Sequence, residues 1–154
     1  MSDQLNFRWA QAGDFDAVLG LASQLAVHIE AAPPPLTRQR FETWYVGDDA
    51  PMRLLLALRG TSVLGMIAWT LTHELYSAEA RVYISDLAVD RAARGQGIGA
   101  SMMALVMAWA RSRGASKLGW EIWHKNLTAK TFYESLGASM DEETLPYGLA
   151  LDDA

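Results

Sequence analysis

Apolar positions recur along this chain in two rhythms, and the switches between them lay out its elements. "LNFRWA" (5–10) reads as a short opening strand. From Phe15 the spacing becomes helical, with Phe15, Val18, Leu19, Ala22, Leu25, Ala26 and Ile29 on one core-facing stripe and Asp14 placed as the N-cap. The prolines of "AAPPPLT" stop that helix, since each removes a donor and holds the backbone extended, and Thr37 caps a shorter helix running to Trp44. "MRLLLALRGTSVLGMIAWTLTHEL" carries two apolar runs around Arg59-Gly60-Thr61, the pattern of a β-hairpin. "ARVYISDLAV" adds a further strand after a turn near Tyr76 and Ser77.

Helical spacing returns at Ile98, Met102, Leu105, Val106 and Trp109, and it ends at Arg113-Gly114, where the glycine suits a C′ position. "KLGWEIW" is then a strand, "LTAKTFYESLG" a last helix ending at Gly137, and "LPYGLAL" a closing strand. The expected order is βααβββαβαβ: an α/β (α+β) chain forming a single domain over 1–154, its mixed, mostly antiparallel sheet flanked by helices. One parallel crossover joins the strand ending at Val89 to the one starting near Lys117. No repeat, low-complexity tract or linker interrupts this order.

Composition narrows the classes. With 154 residues, 51% hydrophobic and 20% charged, the chain has the make-up of one globular domain. No run of about 18 apolar residues is present to cross a bilayer. There is no cysteine and no basic-then-apolar leader pattern, so the expected location is the cytoplasm, with no membrane partner. A net charge of -5 argues against a phosphate-backbone binder and hence against a nucleic-acid partner, while leaving room for a local basic loop. His28, His73 and His124 lack metal-ligand spacing, so no metal is expected. Met102, Met103 and Met107 read as packing residues.

The segment carrying chemistry is Arg94-Gly95-Gln96-Gly97-Ile98-Gly99, set between a strand and a helix. It is not a phosphate-binding P-loop, because no Gly-Lys-Ser/Thr follows. Gly95, Gly97 and Ala100 satisfy a relaxed dinucleotide fingerprint, and Glu121 lies roughly where its ribose-binding acid belongs. That fold needs glycine directly after its first strand, whereas Arg91 to Arg94 intervene here, and only 55 residues follow Gly99.

The pattern R-G-x-G-x-G after "DLAV", followed downstream by "NLTAKTFYESLGA", resembles the GNAT superfamily of N-acetyltransferases. "YISDLAV" and "NLTAKTFYESLGA" are most similar to the diamine (spermidine/spermine) branch, except that Ser85-Asp86 stands where that branch has Glu-Asp. The resemblance implies acetyl-CoA as acetyl donor. Backbone at Arg94, Gly95, Gln96, Gly97, Ile98, Gly99 and Ala100 would receive the diphosphate, with Arg94 and Arg91 adding charge. Leu87, Ala88 and Val89 would pair through their backbone with the pantetheine arm, and an N–H near Leu87 would face the developing oxyanion.

The resemblance gives Tyr133 the part of general acid toward the departing sulfur, which a phenol protonated at neutral pH can play. Asn126 opens the same helix and either contacts the coenzyme arm or simply caps the helix. For the acceptor's proton the candidates are Asp86, Glu121 and a water chain, with Asp86 preferred because it precedes the pantetheine-pairing segment. Trp44, Tyr45, Trp69 and Tyr76 are candidate walls of an acceptor pocket. The implied activity is direct acetyl transfer to a primary amine of a small molecule such as a diamine, polyamine or amino-acid-like compound. The alternatives are a protein or peptide N-acetyltransferase and a non-catalytic acyl-CoA sensor. A homodimer is expected from the apolar residues of "LPYGLAL".

Overall fold

Five strands lie side by side in chain order: β1 (Leu5–Trp9), β2 (Arg53–Arg59), β3 (Ser62–Glu74), β4 (Glu79–Val89) and β5 (Ala115–Gly119). The computed structural model describes residues 3–151. The first three pairings are antiparallel and the β4–β5 pairing is parallel, giving the mixed sheet expected from the crossover. The helices are α1 (Phe15–His28), α2 (Arg38–Tyr45), α3 (Ile98–Ser112) and α4 (Leu127–Ser135). The chain divides into two compact units, Met1–Trp123 with the sheet and α1 to α3, and His124–Ala154 with α4.

Alternation along the strands builds a core on each side of the sheet. Leu54, Leu56, Leu58, Met66, Ala68 and Ala88 face α1 and α2, where Val18, Leu21 and Phe41 meet them. On the opposite face Ile98, Met102, Met103, Val106 and Ala110 of α3 are buried, and Trp69 of β3 meets Trp109 edge-on with ring centroids 5.4 Å apart. Gly65 permits this close approach: a Cβ there would stand 2.9 Å from Met102 Cε and 3.2 Å from Ile98 Cγ2.

Several expectations hold at residue level. Thr37 caps α2 by accepting from the Arg40 N–H, the β2–β3 turn falls at Gly60, and Gly114 ends α3 with a φ of 74°. Others need correction. Asp14 does not cap α1 through its side chain; its carboxylate accepts from Arg8 Nη1 and Nη2, at 2.7 and 3.0 Å, and from the Gln11 N–H at 2.8 Å. Leu21, outside the expected stripe, is buried, and Leu105 is exposed. β5 stops at Gly119 instead of running to Trp123, and 145–151 is not a strand. In that tail Leu145, Tyr147, Leu149 and Leu151 are all exposed.

Candidate active site

β4 is the spine of the site. Its β5 neighbour pairs with it only from Ala80 to Tyr83, so from Ile84 to Val89 that edge of β4 has no strand beside it among the described residues. The opposite edge of Leu87, Ala88 and Val89 pairs with Ile67, Met66 and Gly65 of β3. An unpaired run of backbone N–H and C=O groups at a sheet's splay is a place where an extended amide-bearing ligand finds partners. The Val89 carbonyl is partly engaged, accepting from Arg94 Nε at 3.3 Å.

A bulge sits at the start of this edge. Ala68 faces Asp86 and Trp69 faces Ile84, which leaves Ser85 as the extra residue of β4. The bulge changes the strand's phase. Ile84 lies with Trp69 on the α3 face, while Tyr83 and Asp86, on either side of the bulge, both lie on the face covered by α1 and α2. Asp86 is half-buried there, near enough to Tyr45 and Tyr83 to act on both phenols. Burial first, and then the Asp86 charge, push the Tyr45 phenol up. Burial, Glu121 and Asp86, in that order, do the same to Tyr83. Glu121 and Asp86 therefore both direct negative potential onto the region around Tyr83.

At the other end, β4 leads through Asp90 and a 3-10 turn (Arg91–Ala93) into the glycines. Gly95 and Gly97 hold φ of 76° and 78°, a left-handed backbone that side chains rarely adopt, and a Cβ on either would meet nothing within 4 Å. Gly97 is the N-cap of α3, and its carbonyl accepts the Ser101 N–H at 3.0 Å. The N–H groups of Ile98, Gly99 and Ala100 precede that first helical bond and point out of the helix end, where the dipole favours an anion. Open space above glycines at a helix N-terminus, with exposed Arg91 and Arg94 alongside, fits a diphosphate. The Ile98 side chain is buried in the core, so any part it takes in binding is through its backbone.

The second unit carries the remaining candidates. Asn126 caps α4, its side chain accepting from the Ala129 N–H at 3.1 Å. Tyr133 lies towards the end of α4, its ring edge-on to Phe132, and burial pushes its phenol up to about 12.

The family model described as Acetyltransferase (GNAT) family matches residues 19–138, a span that takes in the splayed strand, the glycine cradle and α4. The chain belongs to the GNAT family of acetyltransferases. As a GNAT protein it is an acyltransferase, and the family in general uses acetyl-CoA as cosubstrate. No protein of curated function matches the chain. Among solved structures it is similar to a transcriptional regulator from Bacillus halodurans C-125, with 25% identity, a TM-score of 0.79, and coverage of 95% of this chain and 100% of that one. It is also similar to an integron cassette protein from the mobile metagenome of V. cholerae, at 22% identity and a TM-score of 0.79 over 99% of this chain and 94% of that one. A third is an aminoglycoside acetyltransferase, meta-AAC0020, from an uncultured soil metagenomic sample in complex with sisomicin, at 17% identity and a TM-score of 0.78 over 96% and 97% of the two chains. The last two likenesses concern the fold alone.

Within this GNAT fold the candidate acceptor walls separate. Tyr45 and Trp44 end α2, with Tyr45 half-buried over the Asp86 face. Trp69 is instead a core residue of the α3 face, and Tyr76 stands fully exposed at the β3–β4 turn, so neither borders the Asp86 face. Tyr83 was not anticipated, because a period-two reading without the bulge puts it on the face away from Asp86. Among the described residues no group of three or more histidines, aspartates or glutamates is arranged to hold a metal, and no helix is long and apolar enough to cross a membrane.

Proposed function

We propose that this GNAT enzyme uses acetyl-CoA to acetylate a primary amine of a small molecule, a diamine, polyamine or amino-acid-like compound, by direct transfer in the cytoplasm. The observation that carries the reading is the free edge of β4, which runs from a half-buried carboxylate at Asp86 to the glycine cradle at the start of α3.

When bound, acetyl-CoA supplies the acetyl group as a thioester. The chain's own residues do the rest. Backbone N–H groups from Gly95 to Ala100 hold the diphosphate, with Arg91 and Arg94 adding charge. Backbone of Leu87, Ala88 and Val89 orients the amide arm, and an N–H near Leu87 meets the oxygen as it gains charge. Asp86, with Glu121 also acting on Tyr83, attracts the acceptor cation and receives its proton directly or through water. Asn126 steadies the start of α4 beside its contact with the coenzyme arm. Tyr133, its phenol pushed up to about 12, keeps its proton across the physiological range and gives it to the departing sulfur.

Two carboxylates acting on one phenol favour a polycationic acceptor, in keeping with the likeness of "YISDLAV" to the diamine branch. The protein also pairs as a homodimer, a reading supported by the strand-like alternation of exposed Leu145, Tyr147, Leu149 and Leu151. Light scattering at micromolar concentration is expected to give twice the chain mass; the monomer mass refutes the pairing. The decisive experiment follows coenzyme A release over a panel of diamines, polyamines, amino acids, aminoglycosides and peptides. Turnover of di- and polyamines is expected. Turnover of peptides alone assigns a protein acetyltransferase, and acetyl-CoA binding with no turnover on any class assigns a sensor.

A further inference from the structure

The cradle has little of its own to hold it. From Asp90 to Gly97 the loop has the Asp90 N–H on the Leu64 carbonyl at 2.7 Å, while the bonds from the Ala92 N–H, the Ala93 N–H and Arg94 Nε are all to residues within five positions. Its two left-handed glycines touch nothing on their open side. Such a segment spends configurational entropy when it closes on a ligand unless something outside it sets its shape first.

Two side chains from distant elements do this. Gln24, half-buried on α1, uses both ends of its amide on consecutive loop residues: Nε2 donates to the Asp90 carboxylate at 3.1 Å, and Oε1 accepts from the Arg91 N–H at 3.0 Å. Arg59, the last residue of β2, donates from Nη1 to Gln96 Oε1 at 2.6 Å, gripping the residue between the two glycines. The sequence separations are 67 for Gln24–Arg91 and 37 for Arg59–Gln96, so neither grip is a local turn. Gln24 also holds the Asp90 carboxylate to one side, where it is shared with the Ala92 N–H at 2.9 Å and turned to capping the 3-10 turn.

We propose that Gln24 and Arg59 are positioning residues that brace the cosubstrate loop at its two ends, so that the cradle is formed before acetyl-CoA arrives. This inference rests on the acetyl-CoA reading of the preceding section. Neither residue touches the reacting atoms; both act through the loop backbone.

Gln24→Met and Arg59→Met keep most of the side-chain length while removing the bonds. The test measures acetyl-CoA affinity by calorimetry, melting temperature without ligand, and KM for the best amine, on the wild type, both variants and their combination. Each variant is expected to weaken acetyl-CoA binding about 3–10-fold, as for a lost hydrogen bond of ordinary strength. The combination is expected to lose roughly the product, with ligand-free melting and amine KM unmoved. Arg59→Lys, which retains a donor for Gln96, is expected to recover most of the loss.

If the wild type binds acetyl-CoA and Gln24→Met binds it equally well, the brace is refuted and the acetyltransferase reading stands. If affinity falls only in step with melting temperature, the bonds serve the fold and the brace is refuted. A loss at Arg59→Met that fades as salt rises marks direct pairing with phosphate and overturns bracing for Arg59. No binding by the wild type refutes the cosubstrate reading and the brace together.

Discussion

Replacing Gly97 separates the backbone's need for glycine from the ligand's need for empty space. Its φ is 78° and nothing lies within 4 Å of where a Cβ would stand, so Gly97→Ala meets no clash and its cost is the left-handed backbone alone. That is about 1–2 kcal/mol. In a chain of this size each kcal/mol lowers Tm by roughly 2–4 °C, so Gly97→Ala is expected to melt about 2–8 °C lower. Asparagine tolerates the left-handed region, so Gly97→Asn is expected to melt within a few degrees of the wild type. Its side chain nevertheless stands over the N–H groups of the first turn of α3. Losing one charge-assisted bond to phosphate costs about 1.5–3 kcal/mol, or roughly 10–150-fold in Kd. Calorimetry with acetyl-CoA, alongside melting curves on the same preparations, reads both quantities. Gly97→Asn should therefore be folded and weak in binding. A folded Gly97→Asn with wild-type affinity would remove the cradle from the cosubstrate site.

Tyr133→Phe keeps the ring and its packing on Phe132 while deleting one O–H; turnover is expected to fall about 10²–10⁴-fold with acetyl-CoA affinity nearly unchanged, and equal rates refute the general acid. Gly65→Ala forces Met102 and Ile98 to yield by a few tenths of an ångström, offset in part by a stiffer strand, for a net loss of about 1 kcal/mol by thermal melting; a more stable variant refutes the tight α3 approach. Asp14→Asn removes half of the bidentate pair with Arg8, and a loss of about 1 kcal/mol is expected at neutral pH, tempered by the exposure of Arg8. The Arg8 bond holds the Asp14 carboxyl below its usual range, so its contribution is complete above the unfolded value near ~3.9 and disappears as pH falls through the lower folded value. Melting curves of the two proteins should converge in acid, and a gap that widens there refutes the assignment.

Where a signal was local and strong, sequence and structure agree. Thr37 and Asn126 cap their helices, Gly60 turns the hairpin, and Gly114 and Gly137 take the left-handed positions beyond α3 and α4. The glycine motif and the tyrosine of α4 stand in the elements expected from the sequence pattern, at the start of α3 and within α4. What failed depends on distant partners. The apolar alternation of 145–151 suits a strand, but Pro146 lacks a donor, and alternation alone supplies no neighbour to pair with. "KLGWEIW" keeps strand composition past Gly119, yet its pairing with β4 ends at Tyr83. Asp14 carries cap chemistry, but the Arg8 guanidinium six residues earlier competes for it and wins with two bonds. Gln24 and Arg59 gave no signal, since a polar residue on a half-buried helix face or at a strand end is ordinary.

The extra residue at Ser85 makes β4 two strands of opposite phase joined end to end. Residues before it are tuned against α3 by one parity and residues after it by the other. Deleting Ser85 alone would restore an unbroken ladder, with Ile84 and Asp86 as neighbours opposite Trp69 and Ala68, and would leave Tyr83 and Asp86 on the face they already share. The extra residue costs the ladder one unpaired position and changes no face. What the bulge sets is the local twist and backbone direction between Tyr83 and Asp86, so its removal would re-aim these two side chains without moving either of them to the α3 layer.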